Sequence, residues 1–149
     1  MARGTNGCRI MMSAWLAVAL TTVQSSRAAD AISETLLKTT KSWDGTPYKA
    51  YPSGQPEITV LRIYVPPHST LAWHYHPVIN AAYVLSGELT VQRRDNDQRQ
   101  AIHAGQVLPE MVDNAHRGYT GDQSATLIVF YAGASGGSIT VPVTVTSAH

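Results

Sequence analysis

The chain has 149 residues, with 11 basic and 10 acidic side chains and 44% apolar residues, which suits one near-neutral packed domain. No run of Lys or Arg makes a nucleic-acid footprint, and Arg93-Arg94 is an isolated pair, so nucleic acid is not an expected partner. Cys8 is the single cysteine, which excludes an internal disulfide and leaves stability to the core.

Arg3 and Arg9 precede an apolar stretch, 10–20, that is too short to span a bilayer and fades into small residues at Ala28, Ala29 and Ala31. That order predicts a secretory signal peptide over 1–28, cut after Ala28 or after Ala31. The competing readings are a later start at Met11 or Met12, or an amphipathic N-terminal helix. A cut after Ala28 removes Arg3, Arg9 and Arg27, leaving 8 of 11 basic residues against 10 acids, a net charge of −2. Cys8 goes with them. The expectation is a secreted or periplasmic protein, soluble, with no membrane attachment after cleavage.

Residues 29–56 read as an N-terminal arm and loop. Within them 32–43 is expected to form a short helix with Ser33 as N-cap, although the Thr and Ser residues that follow weaken it. Gly, Pro and Ser then mark 45–56 as irregular. Tyr48 and Tyr51 lie there, either as packing anchors or lining a ligand mouth.

From residue 57 the pattern alternates with period two. Strands are expected at 57–65, 70–76, 80–85, 88–94, 98–103, from Gly105 through Leu108, at 116–119 and at 125–131. Turns fall at 66–69, at Ser86-Gly87, at 95–97 and at 120–122. Tyr83, Val84 and Leu85 are expected in the core. With no helical periodicity after residue 43, the fold class is all-β, a sandwich or barrel over 57–132. Residues 133–149 read as a Gly/Ser hinge followed by a β-prone segment that Pro142 confines to an edge.

The chemistry concentrates in HYHPVINAAYVLSG, residues 74–87. His74 and His76 point to the same side of a strand. Paired imidazoles repel when protonated, and a divalent metal removes that conflict. His116, at the start of a later strand, supplies a third imidazole. Three neutral nitrogens leave coordination positions open, as a catalytic or ligand-binding ion needs. His68 is expected as a turn residue, and His103 and His149 as solvated.

These residues resemble the cupin superfamily, whose first motif is G-x5-H-x-H-x3-4-E-x6-G and second is G-x5-P-x-G-x2-H-x3-N. His74, His76 and Gly87 fill the first, Gly105 and His116 the second, and YVLSGEL has strongly cupin-like wording. The resemblance covers 57–131 and implies a single jelly-roll β-barrel with an ion near its mouth. The chain departs from the motifs at His68 for glycine, and at Met111, Asp113 and Thr120 for Pro, Gly and Asn. Asn80 stands where the motif has its ligand glutamate. Two repairs are open: Asn80 itself coordinates or holds a metal-bound water, or Glu110 reaches in with the carboxylate. Ala82 shares the face of Asn80 and leaves room for a ligand.

The resemblance implies a divalent transition metal (Fe, Mn, Ni, Cu or Zn) on His74, His76 and His116, completed by Asn80 or Glu110, which are also the catalytic candidates. It implies a metal-dependent enzyme of dioxygenase or isomerase type with a small organic substrate. The alternative is a non-catalytic cupin that binds a metal or small ligand. A homodimer through sheet edges is a further expectation by the same analogy.

Overall fold

Alternating side chains and closely spaced turn residues produce eight strands among the described residues: β1 (Pro56–Val65), β2 (His74–Tyr75), β3 (Ile79–Arg93), β4 (Arg99–His103), β5 (Val107–Pro109), β6 (His116–Tyr119), β7 (Ala125–Ala134) and β8 (Val141–Pro142). The computed structural model describes residue 1 and residues 29–144. The remainder of the expected signal peptide, and His149, lie outside the described residues. Contacts divide the chain at Ser33, and the described residues before that point are exposed and irregular.

The strands run in the order β1-β7-β3-β6-β2-β8, with β4 and β5 also paired to β3. All of these pairings are antiparallel. The sheet curls into an all-β half-barrel whose end strands are β1 and β8. Among the described residues Pro142, on the end strand β8, is paired on the β2 side alone, as its missing N–H requires.

The curl depends on Gly87. Two strands separated by a Ser-Gly turn were expected across 80–94, but β3 is one continuous strand of 15 residues. Its register slips between Val84 and Ser86, and Gly87 sits at φ +76. The chain therefore bends instead of reversing, as at a bulge. Before the bend β3 pairs with β7 and β5, and after it with β4 and β6. A Cβ at residue 87 would collide with the Ser124 carbonyl oxygen, so no other residue fits there without backbone movement.

The core is made by inward faces of β1, β3, β4, β5 and β7, including Val65, Ala82, Val84, Leu89, Ile102, Leu108, Leu127 and Val129. The placement of Tyr83, Val84 and Leu85 together in the core is corrected by the same alternation. Val84 is fully buried, whereas Tyr83 is half-buried and Leu85 is 49% exposed on the opposite face. Ile58, Val60, Tyr64 and Phe130 are exposed as well.

No helix forms among the described residues, so the helix expected over 32–43 is corrected. Its leucines find no core to cover: Leu36 and Leu37 stay exposed, and a lone helix of that length is marginal without packing. Thr39 and Ser42 instead bond the backbone nearby. Of this segment Trp43 packs against the core. The expected strand over 70–76 shortens to His74–Tyr75, with Thr70 joined to Tyr119 by an isolated bridge.

Candidate metal centre

The register brings the three histidines together. His74 on β2 pairs directly with His116 at the start of β6. His76, just past β2, bridges to Val112, and its carbonyl accepts from the Asp113 amide at 2.8 Å. The ring centroids lie 4.6 to 5.0 Å apart. One nitrogen from each ring lies within 4.8 Å of the others.

Each ring is held by its other nitrogen. His74 Nδ1 donates to the Ala72 carbonyl, His76 Nδ1 to that of Ile139 and His116 Nδ1 to that of Asn114, all at 2.8 Å. A carbonyl can only accept, so Nδ1 carries a proton, and in the neutral ring Nε2 presents its lone pair. This outer arrangement fixes tautomer and orientation in metal-bound histidines. Thr140 Oγ1 adds a contact to His76 Nδ1 at 3.2 Å, and the Tyr131 ring lies edge-on to His76.

Glu110 stands beside His116, outside the group of three histidines whose nitrogens converge. It is buried, and Oε2 lies 3.3 Å from His116 Nε2. The alignment falls short of a hydrogen bond, leaving both atoms buried without partners. Burial works to raise the Glu110 carboxyl, but His116 and then His76 and His74 hold it below the usual range. Burial likewise works to lower His116, but Glu110 holds it above the ordinary imidazole value. His74 and His76 move the other way: burial pushes His74 down, and His76 down to about 4. Two neutral imidazoles thus stand beside a buried carboxylate and a third ring with an unpaired nitrogen. Orphaned buried polar atoms are costly, and this donor set fits a divalent cation.

Asn80, the other candidate, is buried and faces inward from β3. Its Nδ2 donates to the Val78 carbonyl at 3.2 Å, while Oδ1 has no partner. Glu110, the other of the two repairs, comes to ion-pair distance of His116. Ala82 is fully buried in the core. His68 and His103 are exposed and sit beside Asp122 and Glu88, away from the cluster, as expected of a turn residue and a solvated one.

The motif departures keep the backbone that the motif glycines provide. His68 and Asp113 stand at glycine positions and adopt φ of +52 and +60, while Gly87 and Gly105 take +76 and +87. His and Asp are among the residues that tolerate the left-handed region. Thr120, in place of the motif asparagine, ties the 66–69 turn by donating to the Pro66 carbonyl and accepting from the Ser69 amide.

The histidines and Glu110 open into a cavity of about 330 Å³ inside the half-barrel. Leu61, Ile63, Leu89, Val91, Leu127 and Val129 form most of its wall, and no Lys or Arg among the described residues lines it. Three contributors were not evident beforehand: the carbonyls of Ala72 and Asn114, each two residues before its histidine, and the 139–140 segment behind His76.

Residues 61–131 match the family model of the cupin domain. The DMSP lyase DddQ of Ruegeria pomeroyi is similar over 66% of this chain, with 17% identity and a TM-score of 0.51. The polyketide cyclase RemF of Streptomyces resistomycificus matches 63% of this chain and 65% of its own, at 17% identity and a TM-score of 0.52. The oxalate decarboxylase of Lactobacillus farciminis, in a formate complex, matches 58% of this chain at 15% identity and a TM-score of 0.50. The match spans less than half of the lyase chain (46%) and about a quarter of the decarboxylase chain (26%). At these identities the likeness is one of fold. No curated protein matches the chain.

Proposed function

We propose, from the premise that this chain belongs to the cupin superfamily, that it is a metal-dependent enzyme acting on a small, largely apolar organic substrate. His74, His76 and His116 would hold a divalent transition metal through Nε2, with Glu110 as the carboxylate of the set. The observation that carries this reading is the three Nδ1–carbonyl bonds at 2.8 Å, which turn the three Nε2 atoms to one place beside the buried Glu110 carboxylate.

A bound ion of this kind acts as a Lewis acid or, if redox-active, supports oxygen chemistry. The chain's own contributions can be stated separately. The aliphatic walls favour a hydrocarbon body. With no cation on the wall, a charged group far from the histidines would be buried without a partner, which is costly. The volume is at the lower end for small-molecule sites. Glu110 is the buried carboxylate placed to accept a proton from a group bound beside His116. An oxygenase is the finer assignment favoured here, since histidines with a carboxylate are the usual set for Fe(II) oxygen chemistry. The lyase and decarboxylase noted above show that the fold accommodates other chemistries.

The order of charged, apolar and small residues in 1–31 supports export to the periplasm or beyond. No helix among the described residues is long and apolar enough to cross a membrane.

The test is elemental analysis of purified protein beside His74→Ala, followed by substrate and O2-consumption assays on the metal-loaded form. About one metal per chain, lost in His74→Ala, with turnover of a phenolic or dicarbonyl compound, is expected. Metal without turnover across a broad panel would leave a binding protein, and equal metal in both proteins would end the assignment of His74.

A further inference from the structure

We propose that the turn formed by residues 42–48, which lies outside the 61–131 stretch matched to the cupin domain, is a positioning element of the metal centre and acts through Tyr48 on Glu110. Its consequence for metal binding rests on the reading above; its geometry does not.

The need for such an element follows from where the carboxylate comes from. A glutamate at position 80 would sit inside β3, between ladder bonds to β7 and β5. Glu110 instead falls one residue past the end of β5. Its amide still donates to the Asn80 carbonyl at 3.1 Å, but no strand partner takes up its own carbonyl. Tyr48 does: its Oη donates to Glu110 O at 2.8 Å, across 62 residues of sequence. The preceding carbonyl, that of Pro109, accepts from the Trp43 amide at 2.9 Å. The peptide units on both sides of the Glu110 Cα are therefore pinned, and only side-chain torsions remain free.

A clamp must itself be rigid, and this one is built around a buried carboxylate. The Asp44 side chain is 0% exposed. It accepts from Ser42 Oγ at 2.5 Å, the Thr46 amide at 3.0 Å, Thr46 Oγ1 at 2.9 Å and Arg93 Nη1 at 2.6 Å. Any shift of the turn breaks several charge-assisted bonds at once. Arg93 is also the register partner of His116. The turn thus ties the loop carrying the carboxylate to the strand position opposite a histidine.

Tyr48→Phe removes one hydroxyl and keeps the ring. Zinc affinity, read by chelator competition, is expected to fall about three- to tenfold, as for the loss of one partly buried hydrogen bond. Added to Glu110→Gln, the same change is expected to cost nothing further, because partners acting through one group are not additive. In metal-free protein the carboxyl carbon resonance of Glu110 should move in Tyr48→Phe while the His74 ring resonances stay. An equal loss of zinc affinity in both backgrounds, or an unmoved Glu110 resonance, would overturn the proposal. If wild type binds no zinc, the metal reading fails and the resonance alone decides: a shift upholds the positioning, and its absence overturns it.

Discussion

Glu110→Gln is the substitution that separates a four-donor centre from a three-histidine one. The change is nearly isosteric and removes one negative charge from a buried site. At the 3.3 Å separation between Glu110 Oε2 and His116 Nε2, opposite unit charges attract by about 5 kcal/mol at an effective dielectric of about 20. A divalent ion doubles the charge on one side, while desolvation and the remaining amide oxygen of glutamine offset much of the difference. The net loss expected is about 2–4 kcal/mol, or about 30- to 1,000-fold in metal Kd. Competition titrations with a chromogenic chelator, using zinc and manganese in turn, read this directly, with circular dichroism to confirm the fold. A folded Glu110→Gln protein whose Kd lies within about threefold of wild type would refute the placement of the carboxylate at the ion.

Metal-free protein should lose stability in acid. Burial lowers His76 to about 4 from 6.5, so its contribution is complete above 6.5 and lost as pH falls toward 4, roughly 3 kcal/mol in all. Glu110, also lowered, adds to the loss on the acid side, whereas His116, raised, contributes at low pH and loses that contribution as pH rises through its folded value. In His116→Gln, which removes the opposing titration, urea midpoints should be lower at about pH 5 than at about pH 7.5, and equal midpoints there would count against buried neutral imidazoles. Gly87→Ala should cost about 2–4 kcal/mol, because it combines a left-handed φ with a collision at the Ser124 carbonyl; a change under about 0.5 kcal/mol in a denaturant melt would argue against the bend. Asn80→Glu should tighten metal binding by on the order of tenfold and lower metal-free stability, since it sets a second buried carboxylate beside Glu110. A looser site would place Asn80 outside the first ring of ligands.

What could be read beforehand was whatever depends on short-range periodicity. The shared face of His74 and His76 follows from strand alternation, and Pro142 restricts its own strand to an edge. Four motif positions also set a left-handed backbone that His68 and Asp113 maintain without glycine. The errors have the same origin. A Ser-Gly pair between apolar runs signals a turn locally, and only the crowding of Gly87 against Ser124 shows it to be a bend in one strand. The helix over 32–43 failed because an amphipathic stretch needs a surface to cover, and that surface is a tertiary fact. Glu110's direction was open for a related reason. It depends on Tyr48 and Trp43, whose bonds span more than 60 residues, and on a carbonyl that no local pattern predicts. The support of His76 by Ile139 was hidden in the same way, at the start of the segment after the Gly/Ser hinge that reads only as β-prone.

The most direct measurement is anomalous diffraction at a metal edge, from crystals of the protein loaded with manganese or zinc. One strong peak within bonding distance of Nε2 of His74, His76 and His116, with a Glu110 carboxylate oxygen beside it, is the result predicted. A peak bound elsewhere, or histidine rings turned so that Nδ1 rather than Nε2 faces the ion, would contradict the account.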